Sequence, residues 1–128
     1  MKDDDNNNNK ILLVDDEPDL TLAFKLGLED NGFEVDTFND PLMALSYFKN
    51  KSSSYDLVLL DIKMPKMNGY EFSQKVKDID NDVKICFLTA SEDYCCNIVN
   101  HKQTRAEYFI RKPIGIDEFT KQINSILQ

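Results

Sequence analysis

The chain has 128 residues, enough for one ordinary domain, and 41% of them are hydrophobic, so it can bury a sizeable core. Its formal net charge is −8, with 23 acidic against 15 basic side chains, and such a surface repels the phosphate backbone of DNA and RNA. No apolar stretch approaches the roughly 20 residues of a membrane helix. We therefore expect a soluble, cytoplasmic domain without direct nucleic-acid or membrane binding.

The first part of the chain predicts a tail followed by a strand and a helix. Residues 1–9 are rich in Asp and Asn and too polar to pack, which indicates a disordered tail before one domain over residues 10–128. The apolar run 11–14 predicts a buried strand. Apolar residues spaced three and four apart after Pro18 predict a helix that ends before Gly32.

The same alternation continues along the chain. Apolar runs predict strands at 33–38, 57–60, 85–88 and 108–110, and apolar periodicity predicts helices at 42–48, 70–79, 92–101 and from 115 onward. The helix at 92–101 has the weakest apolar face of these. Five repeats of strand then helix predict an α/β fold with a doubly wound, five-stranded parallel sheet, in the order 2-1-3-4-5 of flavodoxin-like (βα)5 domains.

Polar residues that could carry chemistry stand at the ends of four predicted strands. Asp15 and Asp16 end the first strand, Asp61 the third, Thr89 the fourth and Lys112 the fifth. In an open parallel sheet, ligands bind outside the carboxyl ends of the strands, where the strand order reverses. With the first and third strands as neighbours, these side chains converge on one crevice.

The residue types at this crevice favour phosphoryl transfer. Close carboxylates raise one another's pKa unless a cation neutralises them, and oxygen ligands without His or Cys favour Mg²⁺. The Lys112 ammonium and the Thr89 hydroxyl could both contact a phosphoryl oxygen. The set therefore predicts Asp61 as the nucleophile and an aspartyl phosphate as its product.

Each of these residues alone has an ordinary structural explanation. Asp15 or Asp16 could cap a helix, Thr89 could turn the chain, and Lys112 could be a solvated surface residue. Four strand ends that all supply complementary groups favour the functional interpretation.

The three cysteines do not indicate a disulfide framework. Cys86 lies in an apolar run and is predicted to be a core residue. Cys95 and Cys96 lie near His101, the only histidine, but their spacing is not that of a zinc site and a fourth ligand is missing. Ordinary reduced thiols are the favoured interpretation.

These motifs resemble the receiver domains of bacterial and archaeal response regulators, including the single-domain chemotaxis type. The resemblance covers the chain from Lys10 to Leu127. It rests on the segments Asp15-Asp16-Glu17-Pro18, Asp61-Ile62-Lys63-Met64-Pro65-Lys66-Met67-Asn68-Gly69, Leu88-Thr89-Ala90 and Arg111-Lys112-Pro113.

The resemblance implies a role for each site residue. Asp15, Asp16, Asp61 and the backbone carbonyl of Lys63 would hold Mg²⁺, with Asp16 a closer ligand than Asp15. Asp61 would accept the phosphoryl group.

The other implied roles concern the phosphorylated state. Thr89 would hydrogen-bond the phosphoryl group, Lys112 would pair with it, and Phe109 would turn inward after phosphorylation. The Lys112-Pro113 bond would be cis.

The resemblance also implies a function and partners. The chain would take a phosphoryl group from a histidine kinase or phosphotransfer protein and switch conformation to control an output protein or domain. It would catalyse its own phosphorylation and dephosphorylation without being a conventional enzyme. The sequence leaves open whether the receiver acts alone or belongs to a longer protein.

The sequence departs from the family pattern at two places and leaves three alternatives. Residues 97–107 lack the usual Gly-Ala, and Lys63 occupies a variable position beside the phosphoryl group. A phosphatase resembling the haloacid dehalogenase family would need a second aspartate where Lys63 stands. A flavin binder would need a phosphate loop that the acidic residues 15–17 cannot form. A degenerate receiver would lack the complete set of site residues.

Overall fold

The computed structural model describes residues 9–51, 55–90 and 108–128. Residues 1–8 of the predicted tail lie outside this range, whereas the backbone carbonyl of Asn9 accepts a hydrogen bond from the Glu34 N–H at 3.0 Å. The helix predicted at 92–101 also lies outside the described residues, together with Cys95, Cys96 and His101.

The strands form one parallel sheet. They are β1 (Lys10–Val14), β2 (Glu34–Phe38), β3 (Leu57–Asp61), β4 (Lys84–Ala90) and β5 (Tyr108–Lys112). Their order is β2-β1-β3-β4-β5, as predicted. The central strands β1 and β3 are almost wholly buried, because helices cover both faces of a parallel sheet.

Four helices are described, and local sequence explains where they begin and end. They are α1 (Pro18–Asp30), α2 (Pro41–Lys51), α3 (Gly69–Ile79) and α4 (Ile116–Leu127). Helix α1 begins at Pro18. Gly32, which follows the end of this helix, has a φ of 91°, a value that a glycine adopts at low cost. The Asn68 side chain caps α3 by accepting the Glu71 N–H at 2.9 Å. Of the described helices, none is both long and apolar enough to cross a bilayer.

Alternate residues of each strand face two separate cores. One face packs against α1 and α4, where the rings of Phe24 and Phe119 stack with centroids 4.0 Å apart. The other face packs against α2 and α3 through Phe48 and Phe72. Leu42 of α2 and Ile79 of α3 were predicted to lie on the apolar faces of these helices. Both are exposed in the structure, so the apolar faces are smaller than predicted.

The predicted core cysteine is confirmed. Cys86 is fully buried and free. Burial raises the pKa of its thiol, so it remains a small apolar residue rather than a nucleophile.

Candidate functional site

The site lies at the carboxyl edge of the sheet, where β1 and β3 run side by side. Val14 pairs with Leu60 in the register of these strands, so the residues that follow them, Asp15 and Asp61, come next to each other. The chain passes from β1 outward to β2 and then returns to β3 on the other side. The crevice is therefore the point where the strand order reverses.

Three carboxylates converge at this point. Asp15, Asp16 and Asp61 each offer an oxygen within 4.8 Å of the other two. Asp15 and Asp61 are buried, whereas Asp16 is exposed. This arrangement leaves one side of the acidic cluster open to solvent.

Backbone hydrogen bonds fix the loop that carries the acidic pair. The Asp15 N–H donates to the carbonyl of Phe38 at 3.1 Å and continues the pairing of β1 with β2. The Asp15 carboxylate accepts the Glu17 N–H at 3.0 Å. One oxygen of Asp15 is thus used within the loop, and the other, Oδ2, faces Lys112.

Lys112 is the cation of the site. Its Nζ lies 3.2 Å from Asp15 Oδ2, 3.5 Å from Asp61 Oδ2 and 3.4 Å from Glu17 Oε1. The contact with Glu17, which is largely exposed, was not predicted from the sequence. The Lys112-Pro113 bond is cis, as the resemblance implied.

Burial raises the pKa of both buried carboxylates, and at Asp61 the neighbouring negative charge adds to this effect. Burial and the neighbouring charge of Asp15 raise the pKa of Asp61 to about 6, against the opposing effect of Lys112. Burial also raises the pKa of Asp15. Burial lowers the pKa of Lys112, but Asp15 and Asp61 outweigh it and hold the ammonium charged.

The residues present fit a magnesium ion. Lys112 brings one positive charge to three carboxylates and so compensates only part of the charge of the cluster. The available donors are carboxylate oxygens, and one of the carboxylates is exposed, as suits an ion that keeps several waters.

The remaining predicted residues lie on neighbouring strands and loops. Thr89 is buried on β4, one residue beyond Leu88, which pairs with Asp61 in the sheet register. Lys63 has an exposed side chain, and its backbone N–H hydrogen-bonds Asp61. Phe109 on β5 is partly buried, with its ring 5.5 Å from that of Phe87.

Gly69 contributes to the site through its lack of a side chain. A Cβ on Gly69 would lie 2.7 Å from the Asp61 carbonyl oxygen and 2.9 Å from Ile62 Cα. The Gly69 N–H donates to the Ile62 carbonyl at 2.8 Å. The glycine thus lets the start of α3 lie directly against the backbone of Asp61 and Ile62. Sequence reasoning noted Gly69 only as part of a motif.

Comparison with known proteins gives one consistent family. The family model for the response regulator receiver domain matches residues 11–124. The CpxR homolog of Haemophilus influenzae, a transcriptional regulatory protein, is 36% identical over 115 residues, which are 90% of this chain and 48% of that protein. The transcriptional regulatory protein DltR of Streptococcus agalactiae is 36% identical over 111 residues, 86% of this chain and 48% of DltR. The chain therefore spans about half the length of these relatives.

Solved structures agree with the sequence matches. A receiver domain protein from Clostridium thermocellum aligns with a TM-score of 0.82 and 31% identity over 93% of this chain and 94% of that one. The response regulator TrrA from Thermotoga maritima, solved in complex with Mg(2+)-BeF, gives a TM-score of 0.78 and 33% identity over 93% and 99% of the two chains.

Proposed function

This chain belongs to the response regulator receiver domain family, and from that premise we propose that Asp61 accepts a phosphoryl group in a reaction that depends on Mg²⁺. The observation that carries the proposal is the arrangement of Asp61 itself. It lies among two further carboxylates and within 3.5 Å of the Lys112 ammonium. A carboxylate held beside two further carboxylates that could bind a cation, and beside an ammonium, is suited to in-line displacement at phosphorus.

Asp15, Asp16, Asp61 and the Lys63 carbonyl would hold the ion. When bound, Mg²⁺ would neutralise the charge that develops on the phosphoryl oxygens. The protein's own contribution is to position Asp61, which the Lys63 N–H and the buried strand end hold in place.

The transfer itself requires little of the protein beyond this positioning. A carboxylate oxygen of Asp61 forms a bond to phosphorus while the bond between phosphorus and the donor atom breaks. The electron pair leaves with the donor, and the product is a mixed anhydride on Asp61. The ionised form of Asp61 is the nucleophile. Without an ion the pKa of Asp61 is about 6, and a bound Mg²⁺ would lower it and keep the carboxylate ionised.

Lys112 and Thr89 would couple phosphorylation to the conformation of the rest of the domain. Lys112 is shared among Asp15, Glu17 and Asp61, so it can move toward a phosphoryl group without crossing the site. Thr89 is the residue before the end of β4, beside the β5 strand that carries Phe109. Contacts from both residues to the phosphoryl group would shift the balance between two conformations.

The donor we propose is a histidine kinase or a phosphotransfer protein in the cytoplasm, and the recipient of the signal is an output protein or domain. The relatives that match are transcriptional regulatory proteins about twice as long as this chain. An output in transcription is therefore one form that the whole protein's activity could take. Turnover of a separate substrate is not part of the proposal, since the domain acts on itself.

The test is covalent labelling of Asp61. With Mg²⁺ and acetyl phosphate or phosphoramidate, the wild type should gain one acid-labile phosphoryl group that mass spectrometry maps to Asp61. Asp61→Asn should gain none, and Asp16→Ala should be labelled far more slowly because it removes a metal ligand. Labelling of Asp61→Asn at the wild-type rate would contradict the assignment.

A further inference from the structure

The turn between β2 and α2 touches both loops that carry the acidic cluster. It consists of Asn39 and Asp40, and neither residue was singled out from the sequence. Because β2 is the parallel neighbour of β1, with Phe38 opposite Val14, the residues after Phe38 emerge beside the loop that begins at Asp15.

Asn39 holds the loop after β1. Its Nδ2 donates to the backbone carbonyl of Asp15 at 2.7 Å and lies 3.2 Å from Oγ1 of Thr21. Thr21 is buried and in turn donates to the carbonyl of Pro18 at 2.9 Å. One amide group thus joins the first residue of the loop to the first turn of α1.

Asp40 holds the loop after β3. Its Oδ1 caps α2 by accepting the Leu42 N–H at 2.9 Å, and its Oδ2 pairs with Lys66 Nζ at 2.9 Å. Lys66 lies three residues after Lys63 and has a φ of 71°, a conformation that a lysine rarely adopts. The ion pair therefore links this turn to the far end of the loop that follows Asp61.

We propose that Asn39 and Asp40 are positioning residues for the divalent cation: they fix the two loops on which Asp15, Asp16 and the Lys63 carbonyl are carried. The inference deepens the proposed function and rests on it for the identity of the cation. Groups that orient metal ligands from outside commonly affect metal affinity by about 10–100-fold.

The physical reason is the peptide plane between Asp15 and Asp16. The Asn39 hydrogen bond fixes the Asp15 carbonyl, and this fixes the direction in which the next residue leaves the plane. Asp16 is exposed and has little packing to hold it. The direction of its carboxylate therefore depends on the backbone more than that of the buried Asp15.

The main experiment is a Mg²⁺ titration of the whole chain, followed by NMR amide shifts, for the wild type and Asn39→Ala. We expect the dissociation constant to rise about tenfold, the low end of the usual range because Asn39 is itself exposed to water. The matched control is Asn31→Ala. Asn31 also donates its amide to a backbone carbonyl, that of Gly27 at 2.9 Å, but at the far end of α1.

Phosphorylation by phosphoramidate gives the second readout. In Asn39→Ala the Mg²⁺ concentration that gives half the maximal rate should rise, while the rate at saturating Mg²⁺ stays close to that of the wild type. A general loss of structure would lower the saturated rate as well. Lys66→Gln, which removes only the exposed ion pair, should raise the dissociation constant about twofold, since such pairs contribute little.

A Mg²⁺ affinity of Asn39→Ala equal to that of the wild type and of Asn31→Ala would overturn the inference. If Asn39→Ala does not fold, Asn39→Gln replaces it, since the longer side chain keeps the amide but misplaces it; an unchanged affinity there is equally decisive. If the wild type binds Mg²⁺ but takes no phosphoryl group, the proposed function fails, while the titration still decides the role of Asn39.

Discussion

At the scale of single residues, Asp61 combines a buried position with two neighbouring carboxylates, and this has a measurable effect on stability. Its pKa of about 6 in the folded protein lies above the ordinary value of 3.8. The folded state therefore binds more protons than the unfolded state between these two values, and stability falls as the pH rises through about 6.

We therefore predict that Asp61→Asn is more stable than the wild type at neutral pH. Without divalent cations, its free energy of unfolding at pH 7.5 should be higher by about 1–3 kcal/mol, because each unit of the pKa shift, which already includes the attraction to Lys112, corresponds to about 1.4 kcal/mol. The gain should fade as the pH falls from about 6 to 4. Urea denaturation in EDTA at several pH values measures it.

The control for this prediction is Asp30→Asn, at an exposed carboxylate of α1. It should change stability by less than about 0.5 kcal/mol at each pH. A gain in Asp61→Asn that persists unchanged at pH 4 would show that burial of the charge is not its cause.

Gly69 supports a second prediction at this scale. Gly69→Ala should destabilise the fold by about 1–3 kcal/mol and slow phosphorylation, because the new Cβ meets backbone atoms 2.7 and 2.9 Å away that cannot rotate aside. Gly115→Ala is the matched control, since a Cβ there has no neighbour within 4 Å. The unfolding temperatures and labelling rates of the two variants are compared. If they are the same for both, the close approach at Gly69 does not matter for the site.

At the scale of elements, β4 and β5 connect the site to the rest of the sheet. Lys112 ends β5, and Thr89 is the residue before the end of β4. The ring of Phe87, two residues before Thr89, contacts the rings of Tyr70 on α3 and Phe109 on β5. A displacement of either strand end therefore acts on the packing around Phe109.

From this we predict that Lys112→Ala keeps the phosphorylation reaction but loses the conformational change that follows it. It should still accept a phosphoryl group on Asp61, more slowly. In the wild type we expect Mg²⁺ and beryllofluoride to change the amide shifts around Phe109, and Lys112→Ala should not show these changes. Lys121→Ala, at an exposed lysine of α4, is the control and should respond as the wild type does. Wild-type shift changes in Lys112→Ala would rule out this coupling.

At the scale of the whole molecule, cation binding and folding are linked through the acidic cluster. An ion that binds only the folded state stabilises it by about 2.7 kcal/mol at a concentration one hundred times its dissociation constant. We predict a gain of this size for the wild type in urea unfolding with Mg²⁺, because the ion relieves the repulsion among the three carboxylates.

Asp16→Ala tests this linkage. Asp16 is exposed, so the substitution should cost little stability in EDTA but should remove most of the gain from Mg²⁺. Sodium chloride at the same ionic strength controls for screening of the charges. An equal gain in both proteins would place the ion elsewhere.

Much of the fold could be predicted from the sequence. Continuous apolar runs and helical periodicity predicted the strands and the described helices nearly to their bounds, and the family resemblance and the strand order are confirmed. Membership of the receiver family also decides against the phosphatase and flavin-binding alternatives. The structure brings the carboxylates and the lysine together, but the roles of the site residues stay predictions: Asp15, Asp16, Asp61, Lys63, Thr89, Lys112 and Phe109.

What the sequence alone determined is therefore what depends on local pattern: which segments are strands and helices, and which residues stand at the strand ends. The tertiary structure decided which distant groups meet. Lys112 pairs with Asp15 across 97 positions, and Asn39 reaches the Asp15 carbonyl across 24. Strands and helices can be predicted because their buried faces repeat as apolar residues every few positions along the sequence. The path of a loop is set by contacts between distant elements, which the local sequence does not encode.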